Sequence, residues 1–170
     1  MTDTIAGQAT DRVPVHFVEV DTDPLDTDTR VVLAIVMRSA ASGEGAWPDI
    51  AGLATIDDDR GTIEIVRVDE KWRRHGIGKA LVTAAEIAAG TELGPSREFS
   101  PNGKRLWRSL GRTVPATARS CPAREGDSWG AMLMAEVWWA HGKGDLATTT
   151  VLTEQVHDRC GGVTVPNPDS

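Results

Sequence analysis

Through the first part of the chain, apolar residues recur in short β-branched runs, and shortly after Val68 the period lengthens to that of a helix. Residues 13–20 (VPVHFVEV) alternate well enough for a first strand, with Pro14 near its edge. Residues 30–40 (RVVLAIVMRSA) form the most continuous apolar run and predict a central strand buried on both sides. Residues 42–48 read as a glycine-containing turn, residues 50–56 (IAGLATI) as a third strand, and residues 57–61 (DDDRG) as a hairpin turn into a fourth strand over 62–68. No helical pattern separates the first strand from the second, so the four follow one another as a meander. From Ala80 onward Leu81, Ala84, Ala85 and Ala88 share one helical face, until Gly90 supplies a C-cap. A short strand is expected near residues 97–99. Ser100 and Pro101 then read as the N-cap and first-turn proline of a helix that runs to Leu110 and stops at Gly111. Residues 113–118 read as another strand.

Beyond Pro122 the pattern divides. Trp129, Met132, Leu133, Val137 and Ala140 share a helical face, while Leu133, Ala135, Val137 and Trp139 also alternate; the Ala, Met and Leu content favours a helix over 129–141. Asp145 is placed to cap a last helix to about Arg159, and the tail from Gly161 reads as loose. Residues 1–120 are thus taken as one domain, with 121–170 as a mainly helical extension packed on it.

Composition narrows the function. A chain of 170 residues can bury a real core as one domain. No apolar run approaches the ~18–20 residues of a membrane span, and the first residues, with Asp3 and no basic flank, do not read as a signal peptide. A cytoplasmic, reducing location is expected, and the two cysteines suit it. A formal charge of −7 argues against a general nucleic-acid binder. Yet residues 67–79 carry five Lys or Arg against Asp69 and Glu70, and residues 97–112 carry five against Glu98. Such concentration in an acidic protein suits a binder of a small polyanion; two solvated basic faces are the alternative. Metal readings are weaker. The Asp-x-Asp spacing in 21–28 (DTDPLDTD) lacks the glycine and glutamate of a calcium loop. Cys121, His141, His157 and Cys160 match no standard zinc module. No metal site is assigned.

The cations gather on a turn. Arg73, Arg74, His75, Gly76, Ile77, Gly78 and Lys79 link the fourth strand to the long helix, and a helix opening on Gly-x-Gly offers free N–H groups and a positive dipole end to an anion. A Walker A loop would need glycine at Arg73 and a hydroxyl at Ala80, and a dinucleotide fingerprint would need glycine at Leu81. Both fail. What remains is Arg/Gln-x-x-Gly-x-Gly/Ala, met by Arg73, Gly76 and Gly78.

On these residues the chain resembles the GNAT superfamily of acyl-CoA-dependent N-acetyltransferases. The segment 68–81 (VDEKWRRHGIGKAL) is similar to that family's strand–loop–helix, and 100–111 (SPNGKRLWRSLG) to its second motif, a helix ending in an aromatic, a few residues and glycine. The likeness covers roughly residues 50–112. It implies an α/β (α+β) fold with a mixed, mainly antiparallel central sheet flanked by helices. It also implies acetyl-CoA as cosubstrate, its pyrophosphate on the backbone of Arg73 through Lys79 and its pantetheine arm on the strand edge at Val66, Arg67 and Val68.

Transfer to an amine needs a base, and Glu64, taken to share side-chain parity with Val66 and Val68, is the candidate; an outward carboxylate beside a Lys or Arg is the alternative. The family's tyrosine acid has no counterpart in a chain without tyrosine. Its place falls on Trp107, whose indole N–H donates a hydrogen bond but does not readily surrender a proton. The expected activity is therefore acetyl transfer to an amine of a small molecule or protein. A coenzyme A-binding regulatory module and a cofactor-free interaction module are the rivals, and a homodimer through the Trp-rich segment (Trp129, Trp138, Trp139) is considered.

Overall fold

The computed structural model describes residues 12–21, 29–39, 46–120 and 163–167. The alternating runs form four antiparallel strands, β1 (Arg12–Asp21), β2 (Thr29–Ser39), β3 (Ala46–Asp57) and β4 (Thr62–Val68), each paired with the next as the meander requires. Helix α1 (Ile77–Ala89) follows, then the two-residue strands β5 (Gly94–Pro95) and β6 (Glu98–Phe99), helix α2 (Pro101–Ser109), β7 (Arg119–Ser120) and β8 (Val163–Pro166). The main sheet has six strands in the order β5-β4-β3-β2-β1-β8, antiparallel except for the short β4–β5 pair. β6 and β7 pair separately and in parallel.

The continuous apolar character of β2 has a physical cause, because both sheet faces are buried. Val32, Ala34 and Val36 join Val15, Phe17, Ala54 and Ile56 beneath Ile77, Leu81, Val82, Ala84 and Ala85 of α1. Val31, Leu33 and Ile35 join Val18, Ile50 and Leu53 on the opposite face. Each large side chain so buried contributes about 1.5–3 kcal/mol. Alanines on α1 let the helix lie close to the sheet.

An ion-pair cluster ties the far end of α1 to the strands. The Arg30 guanidinium bonds both carboxylate oxygens of Asp58 in the β3–β4 turn, Glu19 Oε1 on β1 at 3.0 Å and the Ala88 carbonyl at 3.0 Å. The Asp58 hydrogen bond raises the Arg30 pKa above its ordinary value, so the cation is permanent. It also neutralises carbonyl charge at the helix C-terminus. Arg30→Met is expected to cost about 1–2 kcal/mol, discounted for partial exposure, and to lower the Tm by a few degrees. An unchanged denaturation midpoint would remove the cluster from the stability account.

Several expectations need correction. The turn expected over 42–48 ends earlier, because residues 46–48 already pair with β2. Helix α1 starts one turn before Ala80, at Ile77, whose side chain is buried. Residues 113–118 are not a strand. Pro115 has no N–H for a ladder, its carbonyl accepts the Ala118 N–H in a turn, and pairing begins only at Arg119. Within the tail expected to be loose, residues 163–166 form a strand: Val163 and Val165 oppose Val15 and Val13, and Val165 is buried. The Ser100 and Pro101 start of α2 stands, with Ser100 Oγ accepting the Gly103 N–H at 3.0 Å. The helices expected over 129–141 and 145–159, and with them Trp129, Trp138 and Trp139, lie outside the described residues. So do Cys121, His141, His157 and Cys160; among the described residues no group of three His, Cys, Asp or Glu side chains suits a metal ion. No helix among them is long and apolar enough to cross a membrane.

Candidate functional site

The site begins where the chain leaves β4. Asp69 closes the ladder, its N–H donating to the Ala51 carbonyl at 2.9 Å. Its carboxylate accepts the Lys71 N–H at 3.1 Å and caps a single 3-10 turn, Glu70–Trp72. Trp72 is fully buried and anchors that turn in the core, with His75 edge-on to its ring at 6.5 Å. Two residues then take positive φ, Arg74 at 70° and Gly76 at 83°. Left-handed residues close together in a loop make a concave nest of N–H groups. A non-glycine residue held there, such as Arg74, is backbone strain of the kind that accompanies function.

Helix α1 opens directly from this nest. The N–H groups of Lys79 and Ala80 both bond the Gly76 carbonyl, which closes the first turn. Those of Arg74, His75, Gly76, Ile77 and Gly78 donate to nothing among the described residues. The N-cap, Gly76, has no capping side chain, and the first turn carries no acid. Arg74 and Lys79 are exposed and form no ion pair among the described residues. Five consecutive free donors, the positive end of the dipole and two available cations are features that suit a pyrophosphate-sized anion. Leu106 of α2 flanks the turn; a Cβ on Gly78 would stand 3.5 Å from Leu106 Cδ1 and 3.7 Å from Val68 Cγ2.

Beside this turn, the edge of β4 beyond Ile63 pairs with no other strand among the described residues. β5 pairs only with Thr62 and Ile63, and the last bond is from the Ser96 N–H to the Ile63 carbonyl at 3.1 Å. The chain then turns away, and the Arg97 carbonyl accepts the Arg119 N–H. Antiparallel ladders alternate, so the Asp69 bond to Ala51 fixes the parity: Asp69, Arg67 and Ile65 direct their backbone groups at β3. Val66 and Val68 direct theirs to the vacated side. Of the three backbone units expected to hold the pantetheine arm, the fold turns Val66 and Val68 away from β3 and keeps Arg67 in the ladder opposite Leu53.

Glu64 does not share the face of Val66 and Val68. A bulge interrupts the β3–β4 register between Thr55 and Ile56, which oppose Ile65 and Ile63 and leave Glu64 over. Ile63, Val66 and Val68 therefore pack toward α1, and Ile65 packs with the opposite cluster. Glu64 is exposed and accepts the Thr62 hydroxyl at 2.7 Å. The same bulge sets it one residue past the last β4–β5 pair, at the fork of the two strands. Pattern alone gives no sign of this bulge.

Trp107 is core. It is 5% exposed, meets Phe99 edge-on at 6.2 Å between ring centroids, and lies 5.0 Å under the Arg112 guanidinium. Arg112 in turn bonds Glu86 at 2.6 Å. An open groove of about 690 Å³ lies at the other end of α1, lined among others by Glu86, Gly90, Glu92 and Arg112. A helix of this length sets it roughly 20 Å from the nest, at the carbonyl end, where the dipole repels anions.

No curated protein and no solved structure matches the chain. A family does: residues 35–108 match the acetyltransferase (GNAT) family, from the middle of β2 to the last turn of α2. This span contains the nest, the uncapped start of α1, the open edge of β4 and Glu64, within a mixed, mainly antiparallel six-stranded sheet with two helices packed on it. The likeness to the acetyltransferase (GNAT) family thus spans residues 35–108, and the C-terminal part of the chain is unmatched.

Proposed function

We propose that the protein moves an acetyl group from acetyl-CoA to an amine of a small molecule or a protein. The observation that carries this reading is the run of five free N–H groups at the uncapped start of α1, beside the open β4 edge. That pair of features suits a ligand with a diphosphate at one end and an amide-bearing arm at the other. Acetyl-CoA, when bound, supplies an activated thioester. Arg74, Lys79 and the backbone from Arg74 to Gly78 hold the diphosphate. The N–H and C=O groups of Val66 and Val68 align the arm, directing its reactive end along β4 toward the fork.

At the fork Glu64 takes the proton the amine must lose, directly or through one water. Its contact with the Thr62 hydroxyl restricts its rotamers. Trp107 serves the fold and not proton transfer, so the departing thiolate draws its proton from solvent. Glu64→Gln is expected to lower kcat about 100-fold, within the usual range for removing a general base, with little change in acetyl-CoA affinity. Activity unaffected by that change would take Glu64 out of the role.

The buried indole in the acid position also favours a second reading, a coenzyme A-binding module that does not turn over. Thiol release from acetyl-CoA with a panel of primary amines separates the two. Amine-dependent release supports transfer. Binding without release under any amine supports the module.

A further inference from the structure

Arg73 opens the anion-binding turn, yet its Nε donates to the carbonyl of Val68 at 3.2 Å. Val68 is one of the two β4 residues whose backbone groups face the vacated edge. The side chain of an anion-binding residue thus occupies an acceptor that an amide-bearing arm would use. We propose, on the footing of the cofactor reading above, that Arg73 is an exchangeable plug. Its side chain covers the strand edge at Val68 and releases it when a phosphate draws the guanidinium away.

A guanidinium bonds phosphate more strongly than it bonds a neutral carbonyl, because the charged pair is shorter and can be bidentate. Arg73 is exposed and immediately precedes the nest, so the exchange needs rotamer changes and no movement of the backbone. The freed Val68 carbonyl then accepts an amide N–H from the arm. Headgroup and arm are coupled in consequence, and linkage makes the coupling reciprocal. The site favours ligands that carry both parts over those that carry either alone.

Two fragments test this on the whole chain: ADP for the phosphates and pantetheine for the arm, with affinities from ligand-observed NMR. In the wild type, saturating ADP should tighten pantetheine binding about three- to tenfold, the worth of one exchanged hydrogen bond. In Arg73→Met, which has no donor, pantetheine alone should bind with the tightened affinity, and ADP should add nothing. Pantetheine affinity that is indifferent to ADP in the wild type, or unchanged or weakened by Arg73→Met, overturns the exchange. Acetyl-CoA separates the two levels of the argument. If it fails to raise the wild-type Tm, the cofactor reading and the plug fall together; if it raises the Tm while the fragments show no coupling, the plug alone falls.

Discussion

Gly76→Glu is expected to abolish the rise in melting temperature that the proposed function predicts for the wild type with acetyl-CoA, while the protein still folds. The position makes the variant discriminating. Gly76 has φ of 83°, and a Cβ built there meets nothing within 4 Å, so a side chain has room and only the backbone objects. That objection amounts to about 1–2 kcal/mol for a non-glycine residue in the left-handed region, or a few degrees of Tm. The new carboxylate, however, stands in the proposed anion seat. At roughly 5 Å from a phosphate and an effective dielectric near 20, the repulsion is about 3 kcal/mol, on the order of a hundredfold in affinity. Ligand-induced stabilisation depends on the ratio of ligand concentration to Kd, so it collapses with that loss. Gly76→Ala is the control, sharing the strain without the charge and retaining most of the shift. A full acetyl-CoA shift in Gly76→Glu would show that the seat has been misassigned.

The second large effect belongs to Gly52→Ala, and it falls on stability. Gly52 lies in β3 opposite Val68, where β4 ends and α1 comes down on the sheet. A Cβ there would overlap the backbone carbonyl oxygen of Arg67 and stand 3.1 Å from Leu81 Cδ1 and 3.2 Å from Val68 Cα. Leu81 could yield, but a backbone oxygen in a ladder cannot without pulling β4 from β3. About 2–3 kcal/mol of overpacking is expected, corresponding to a fall of roughly 5–10 °C in Tm for a domain of this size. The functional consequence follows from the same contact. The close approach at Gly52 sets the open β4 edge beside the first turn of α1, so the surviving folded protein should bind acetyl-CoA more weakly. Wild-type stability in Gly52→Ala would mean that the strands have slack at this point.

Much of this molecule is legible without coordinates. The alternation in 13–20, the unbroken apolar run of 30–40 and the aspartate-rich turn at 57–61 lead to the meander, because period-2 burial and a tight turn are local properties of the chain. The Arg73, Gly76 and Gly78 spacing leads to the nest and the uncapped start of α1 for a similar reason, since both involve consecutive residues. The C-terminal strand is not legible in this way. A four-residue run such as Val163–Pro166 gains its order from pairing with β1, and nothing within the run announces the partner.

The sequence by itself determined the strand meander, the glycine turn with its free N–H groups and cations, and the absence of a tyrosine acid. The tertiary structure alone decided three further things. The bulge moved Glu64 off the face of Val66 and Val68 and onto the fork, because an extra residue in one strand registers only against its neighbour. The departure of β5 after Ile63 leaves Val66 and Val68 on an edge that is unpaired among the described residues, because an edge is defined by what does not pair with it. Burial against Phe99 under Arg112 made Trp107 a core residue, because one helical position faces a cleft or a core according to what packs on it. Local chemistry is written in order along the chain; whether two stretches meet depends on packing that no single stretch contains.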